Sequence, residues 1–176
     1  MSTIVANYYA GGRLGALVCC GLAVLAGGAG IYLVKAKVDF WSGLAWALLV
    51  GSALVVVAGG AYFVGLGGDH AHYSKLLADD AQRFLADESS HVAQALRSFY
   101  WVILGELSLV LVGIGLVLVG QARGSQVLSG IGTGIALIAV MLAFYDCTNR
   151  QRAADYHDHL NSWSSHRVEP ASEPHR

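Results

Sequence analysis

Glu106 is the residue in this sequence best placed to do chemistry. It stands in a long apolar run, nine residues beyond Arg97. A carboxyl at such a depth costs a few kcal/mol in lipid, turns away from the lipid face and marks a functional candidate. Held in its protonated form it can donate a hydrogen bond to a neighbouring helix, recognise a partner or carry a proton. The nearby polar supply is thin: Ser52, Ser108, Ser129 and Thr133. The seven histidines raise a metal or haem question. None lies inside an apolar run, which disfavours axial haem ligation between membrane helices. His70 with His72 and His157 with His159 are i,i+2 pairs that point to different helix faces. Asp155 and His159 share a face, but two ligands do not make a metal site. No nucleophile stands beside a base, and no loop resembles a phosphate cradle. The residues therefore point to no enzyme, no metal and no cofactor.

The elements that must position Glu106 are unusually apolar. The chain has 176 residues, of which 55% are hydrophobic and 13% charged. Soluble domains carry roughly 25% charged residues. Residues 14–34, 40–68, 98–120 and 124–145 are each long enough to cross a hydrocarbon core of about 30 Å, which takes roughly 20 helical residues. The first run exceeds the roughly 7–15 apolar residues of a signal peptide, so it is expected to be an uncleaved span. The net charge of −1 and the lack of a basic, aromatic-studded patch speak against a nucleic-acid partner. The three cysteines cannot build a disulfide framework. The expected fold is all-α: an integral membrane four-helix bundle made of two similar transmembrane hairpins, with short cytoplasmic helical extensions, in a single domain over 1–163.

Four spans place both termini on one side of the membrane. That side holds Arg13, Lys75, Arg83, Arg97, Arg150, Arg152, Arg167 and Arg176, against Lys35, Lys37 and Arg123 on the other. Positive charge is retained in the cytoplasm, so both termini are expected there, in a bacterial inner membrane. Tyr8, Tyr9, Tyr62, Phe63, Phe99–Trp101, Phe144 and Tyr145 would form a cytoplasmic aromatic belt; Tyr32, Phe40 and Trp41 would form an outer one. The two hairpins look like one unit used twice. Ser42-Gly43 matches Ser129-Gly130, Ala61-Tyr62-Phe63 matches Ala143-Phe144-Tyr145, and a polar, His-containing extension follows each.

Gly65, Gly67 and Gly68 are expected to weaken or stop the second helix. Residues 71–88 then read as an amphipathic helix with Tyr73, Leu76, Leu77, Ala81, Phe84 and Leu85 on one stripe. Ser89 or Ser90 would cap a further helix over 91–97 leading into the third span. The fourth span is expected to continue past Asp146, with Tyr156, Leu160 and Trp163 at helical spacing. The two extensions would pack together as a cytoplasmic cap, and 164–176 would be a disordered tail. Gly11 with Gly15, Ala47 with Gly51, and Gly130 with Gly134 are small-xxx-small pairs that let helix backbones approach. They suit packing within the bundle, a homo-oligomer or a membrane-inserted protein partner.

Twinned Gly- and Ala-rich hairpins with short outer turns and a polar Tyr-containing extension after each resemble small four-span bacterial inner-membrane proteins. Some of these are immunity proteins encoded beside type VI secretion effectors. The likeness covers roughly residues 8–163 and rests on layout. It implies a non-enzymatic protein that neutralises a membrane-acting, pore-forming toxin within the bilayer. No family binding residue can be carried over, because no motif assigns one. Glu106, Ser108, Thr133 and the small-residue pairs are the candidate contacts. The alternatives are a small proton-coupled transporter or channel subunit using Glu106, and a structural subunit of a membrane complex. The four-helix small multidrug transporters are the nearest comparison for transport, but their carboxylate sits in the first helix.

Overall fold

In the computed structural model of the chain, residues 1–35 and 38–168 are described, the last four of them as backbone only. They form four helices: α1 (Ser2–Val34), α2 (Asp39–Asp79), α3 (Ala81–Ala122) and α4 (Gln126–Val168). Each contains a stretch long and apolar enough to cross a membrane. At most 28% of the most apolar window of any helix is buried inside the molecule. Leu25, Val57, Val64, Leu111 and Phe144 are among many large apolar side chains that face outward. That surface would be costly in water and suits a lipid environment.

The helices are longer than the apolar runs because the expected breaks do not occur where glycine is dense. α2 passes unbroken through Gly65, Gly67 and Gly68, and α3 passes unbroken through Ser89 and Ser90. Leu66 beside the glycines and Glu88 beside the serines are buried, and that packing outweighs a local preference of about 1 kcal/mol per glycine. The single break lies at Asp80, whose backbone is extended at φ −149° and whose carboxylate accepts from the amides of Gln82 and Arg83. That N-cap divides the expected amphipathic helix 71–88 into the end of α2 and the start of α3. α4 continues through Val168, so 164–168 is helical; residues 169–176 lie outside the described part of the chain.

The hairpins α1–α2 and α3–α4 pack tightly, and α2 and α4 form the centre. Among the described residues the backbones of α1 and α3 nowhere come within 8 Å of each other. At the end carrying the interhelical turns the centre closes on glycine. A Cβ at Gly43 would strike the carbonyl of Val127 and the amide of Ile131; one at Gly130 would strike the carbonyl of Phe40 and the amide of Leu44. One at Gly134 would lie 2.5 Å from the Ala47 Cβ. Phe40 and Val127, Gly43 and Gly130, Leu44 and Ile131, and Ala47 and Gly134 are each separated by the same interval in sequence. Equivalent positions of the two hairpins therefore meet, as a local two-fold relation requires. The small residues at Ala47, Gly130 and Gly134 are used inside the bundle. Gly51 also faces inward, onto the Ile138 side chain.

At the opposite, capped end the chain ends and the extensions build a second core. Val5 and Tyr9 from α1, Leu66 and Tyr73 from α2, Phe84 and Val92 from α3, and Ala153, Tyr156 and Leu160 from α4 are buried together. Tyr9 is thus a core residue and not part of an interfacial belt, whereas Tyr100, Trp101 and Phe144 do face outward.

Candidate ligand cavity and its carboxyl pair

The glycine contacts draw the helices together at the turn end, and bulky aromatics hold them apart towards the capped end. A cavity of about 680 Å³ results. Its walls are mostly apolar. Leu54, Ala58 and Tyr62 of α2 recur one helical turn apart, and Ala95, Phe99 and Val102 of α3 stand with them. The backbones of α2 and α3 meet far less than those within either hairpin. A second space of about 210 Å³, almost wholly apolar, lies on the turn side among Ala23, Leu48, Ser52 and Met141.

Glu106 lines the larger cavity, and so does Asp146 of α4. The two carboxyls face each other. Glu106 thus has a second ionisable group beside it. Glu106 is 7% exposed, and its Oε2 has no hydrogen-bond partner in the protein. Asn149, one turn beyond Asp146, lies against both Asp146 and Tyr145. Its Oδ1 accepts from Arg152 Nη1 at 3.0 Å. Tyr145 Oη and Asn149 Nδ2 are likewise buried with no hydrogen-bond partner in the protein. Asp146, Asn149 and Arg152 thus form a polar stripe along α4 that reaches from the cavity floor towards the cap. Buried polar atoms of native proteins are nearly always satisfied, so the unpartnered Glu106 Oε2 and Tyr145 Oη on its lining mark this floor as a place for a polar guest.

The other candidates are elsewhere. Ser108 Oγ donates to the Leu104 carbonyl at 2.8 Å on the exposed side of α3. Thr133 Oγ1 donates to the Ser129 carbonyl at 2.9 Å on α4. Both are spent on their own helices, and neither lines the cavity. Gly11 and Gly15 face side chains of α4, Arg152 and Tyr145, and not another backbone. No group of three or more metal-ligating side chains occurs among the described residues.

At the cavity mouth His91 of α3 faces Asp69 of α2, Nε2 to Oδ2, at 3.8 Å. One turn earlier Glu88 is fully buried; its Oε1 accepts from the hydroxyls of Tyr9 and Tyr156, each at 2.9 Å, joining α1, α3 and α4. Burial raises the Glu88 carboxyl above its ordinary range, and the two tyrosine hydrogen bonds oppose the rise. Burial and the neighbouring Glu88 push the Tyr9 and Tyr156 hydroxyls far upward, so both remain donors. Sequence reasoning missed Glu88, although it continues the apolar stripe of Leu77, Ala81 and Phe84, where a carboxyl is out of place. No family model matches the chain, and no curated protein or solved structure is significantly similar to it.

Proposed function

We propose that this protein is a multi-pass membrane protein that binds a small organic cation between its helices, as a carrier does. One observation carries the reading: two facing carboxyls on the floor of a mostly apolar cavity. Ligand sites are commonly about 300–1,000 Å³, mainly apolar, with a few convergent polar groups. The rings of Tyr62, Phe99 and Tyr145 on the walls suit an aromatic or quaternary cation. The glycine-closed turn end favours a carrier over an open channel. The reading is non-enzymatic. By the bias of Lys and Arg, the capped end faces the cytoplasm, in a bacterial inner membrane.

The test is saturable binding of tetraphenylphosphonium to the purified protein in nanodiscs. Wild type should bind it. Glu106→Gln and Asp146→Asn should each weaken binding by about tenfold or more, since a charged contact is worth about 1.5–3 kcal/mol. Absence of saturable binding, or equal binding by both variants, would overturn the reading.

The immunity-protein reading, with a membrane-inserted toxin as partner, keeps one supporting observation. A Cβ at Gly21 or Gly28 of α1 would meet nothing within 4 Å, so that face is open to another helix. Its test is membrane potential in cells challenged with the toxin of a neighbouring gene, with and without this protein.

A further inference from the structure

We propose that the Glu106–Asp146 pair gives up one proton for each organic cation it takes in, so that binding at this site is proton-coupled. The inference rests on the cation-binding reading and names the ion that is exchanged. The two carboxyls come from different helices and face each other across the cavity floor, with Glu106 more than nine-tenths buried, its Oε2 unpartnered, and Asp146 half-buried. The side chains around them supply little positive charge. α1 presents the Cys19 thiol, α2 the Tyr62 phenol and α4 the Tyr145 phenol. The nearest cation in the polar stripe, Arg152, donates to Asn149. Two adjacent carboxylates in such surroundings do not both ionise; they share a proton.

An arriving cation supplies the charge that the proton had supplied. The O–H bond of the shared carboxyl breaks, the carboxylate keeps the electron pair and pairs with the cation, and the proton leaves to water. No other bond changes, and the charge of the occupied site is the same before and after. The departure route is the cavity itself. It extends from the pair to Asp69 and His91 at the capped end, while the turn end is closed by the backbone contacts of Gly43 and Gly130. Proton and cation therefore use the same side of the molecule in this conformation.

Isothermal titration of the nanodisc protein with tetraphenylphosphonium, at one pH in buffers of different ionisation enthalpy, counts the protons. About one proton should be released per cation bound, and affinity should fall by about tenfold per pH unit of acidification once the pair is protonated. Glu106→Gln, which preserves shape, should bind more weakly and release none. Binding with no buffer dependence and no pH dependence would overturn the exchange while leaving the cation site standing. Proton release that persists in Glu106→Gln would also overturn it. Absence of binding in wild type would remove both.

Discussion

At the scale of single residues, the capped end hangs on Glu88. One carboxylate oxygen holds two tyrosine hydroxyls from different helices, and the other has no hydrogen-bond partner in the protein. Glu88→Ala would leave both hydroxyls unsatisfied, at about 1–3 kcal/mol for each. Hydrogen exchange at the end of α4 should accelerate accordingly. The pH dependence has a definite sign. The folded carboxyl titrates above the ordinary value, so the folded cap holds its proton more tightly than the unfolded chain does. Glu88 therefore adds no penalty below the ordinary carboxylate range. The penalty grows as pH rises from there through the folded value and is constant above it. Glu88→Gln keeps an oxygen acceptor for both tyrosines and removes the titration. Its exchange protection should be flatter with pH than that of wild type, and an unchanged profile would show that Glu88 does not set it. Glu106 was legible because a charge stands out in an apolar run. Asp146 was not, because it lies at the edge of its run and its depth follows only from how α3 and α4 align.

At the scale of helices, the α2–α4 crossing sets the geometry. Ser42-Gly43 and Ser129-Gly130 were recognisable as equivalent positions, and the chain brings those two positions against each other's helix. The sequence could not reveal that contact, because a small residue fits a close approach without naming the partner. Gly43→Ala and Gly130→Ala put a methyl group into opposing backbone, and each should lower thermal stability by about 1–3 kcal/mol, the usual range for overpacking. The double variant should lose less than the sum, since one separation of the helices relieves both clashes. Gly60→Ala, where a Cβ meets nothing within 4 Å, should be tolerated. Strict additivity in the double variant, measured by thermal unfolding in detergent, would contradict the crossing. The helix ends were harder to read. Glycine density at Gly65–Gly68 suggested a stop, but the local penalty is small beside the burial of Leu66 among them, while a well-formed aspartate cap at Asp80 does end a helix.

At the scale of the whole molecule, composition alone announced four apolar helices, and their outward-facing surface agrees with lipid as the surroundings. The cavity was not legible. It arises from a difference between the two halves of the bundle, glycine contacts in one and aromatic spacers in the other, that no single segment displays. If the capped end faces the cytoplasm, a reporter fused after Arg176 should be active only as a cytoplasmic one, fluorescent as a folded fluorescent protein and silent as a periplasmic phosphatase. The reverse pattern would invert the topology and the side on which the cavity opens. The most direct examination of the central claim is chemical. Dicyclohexylcarbodiimide partitions into apolar sites and reacts with protonated carboxyls. In native membranes it should modify Glu106 or Asp146, as read by peptide mass, and tetraphenylphosphonium should protect them. Modification unaffected by tetraphenylphosphonium, or confined to carboxyls outside the cavity, would contradict a membrane-embedded carboxyl pair serving a cation site.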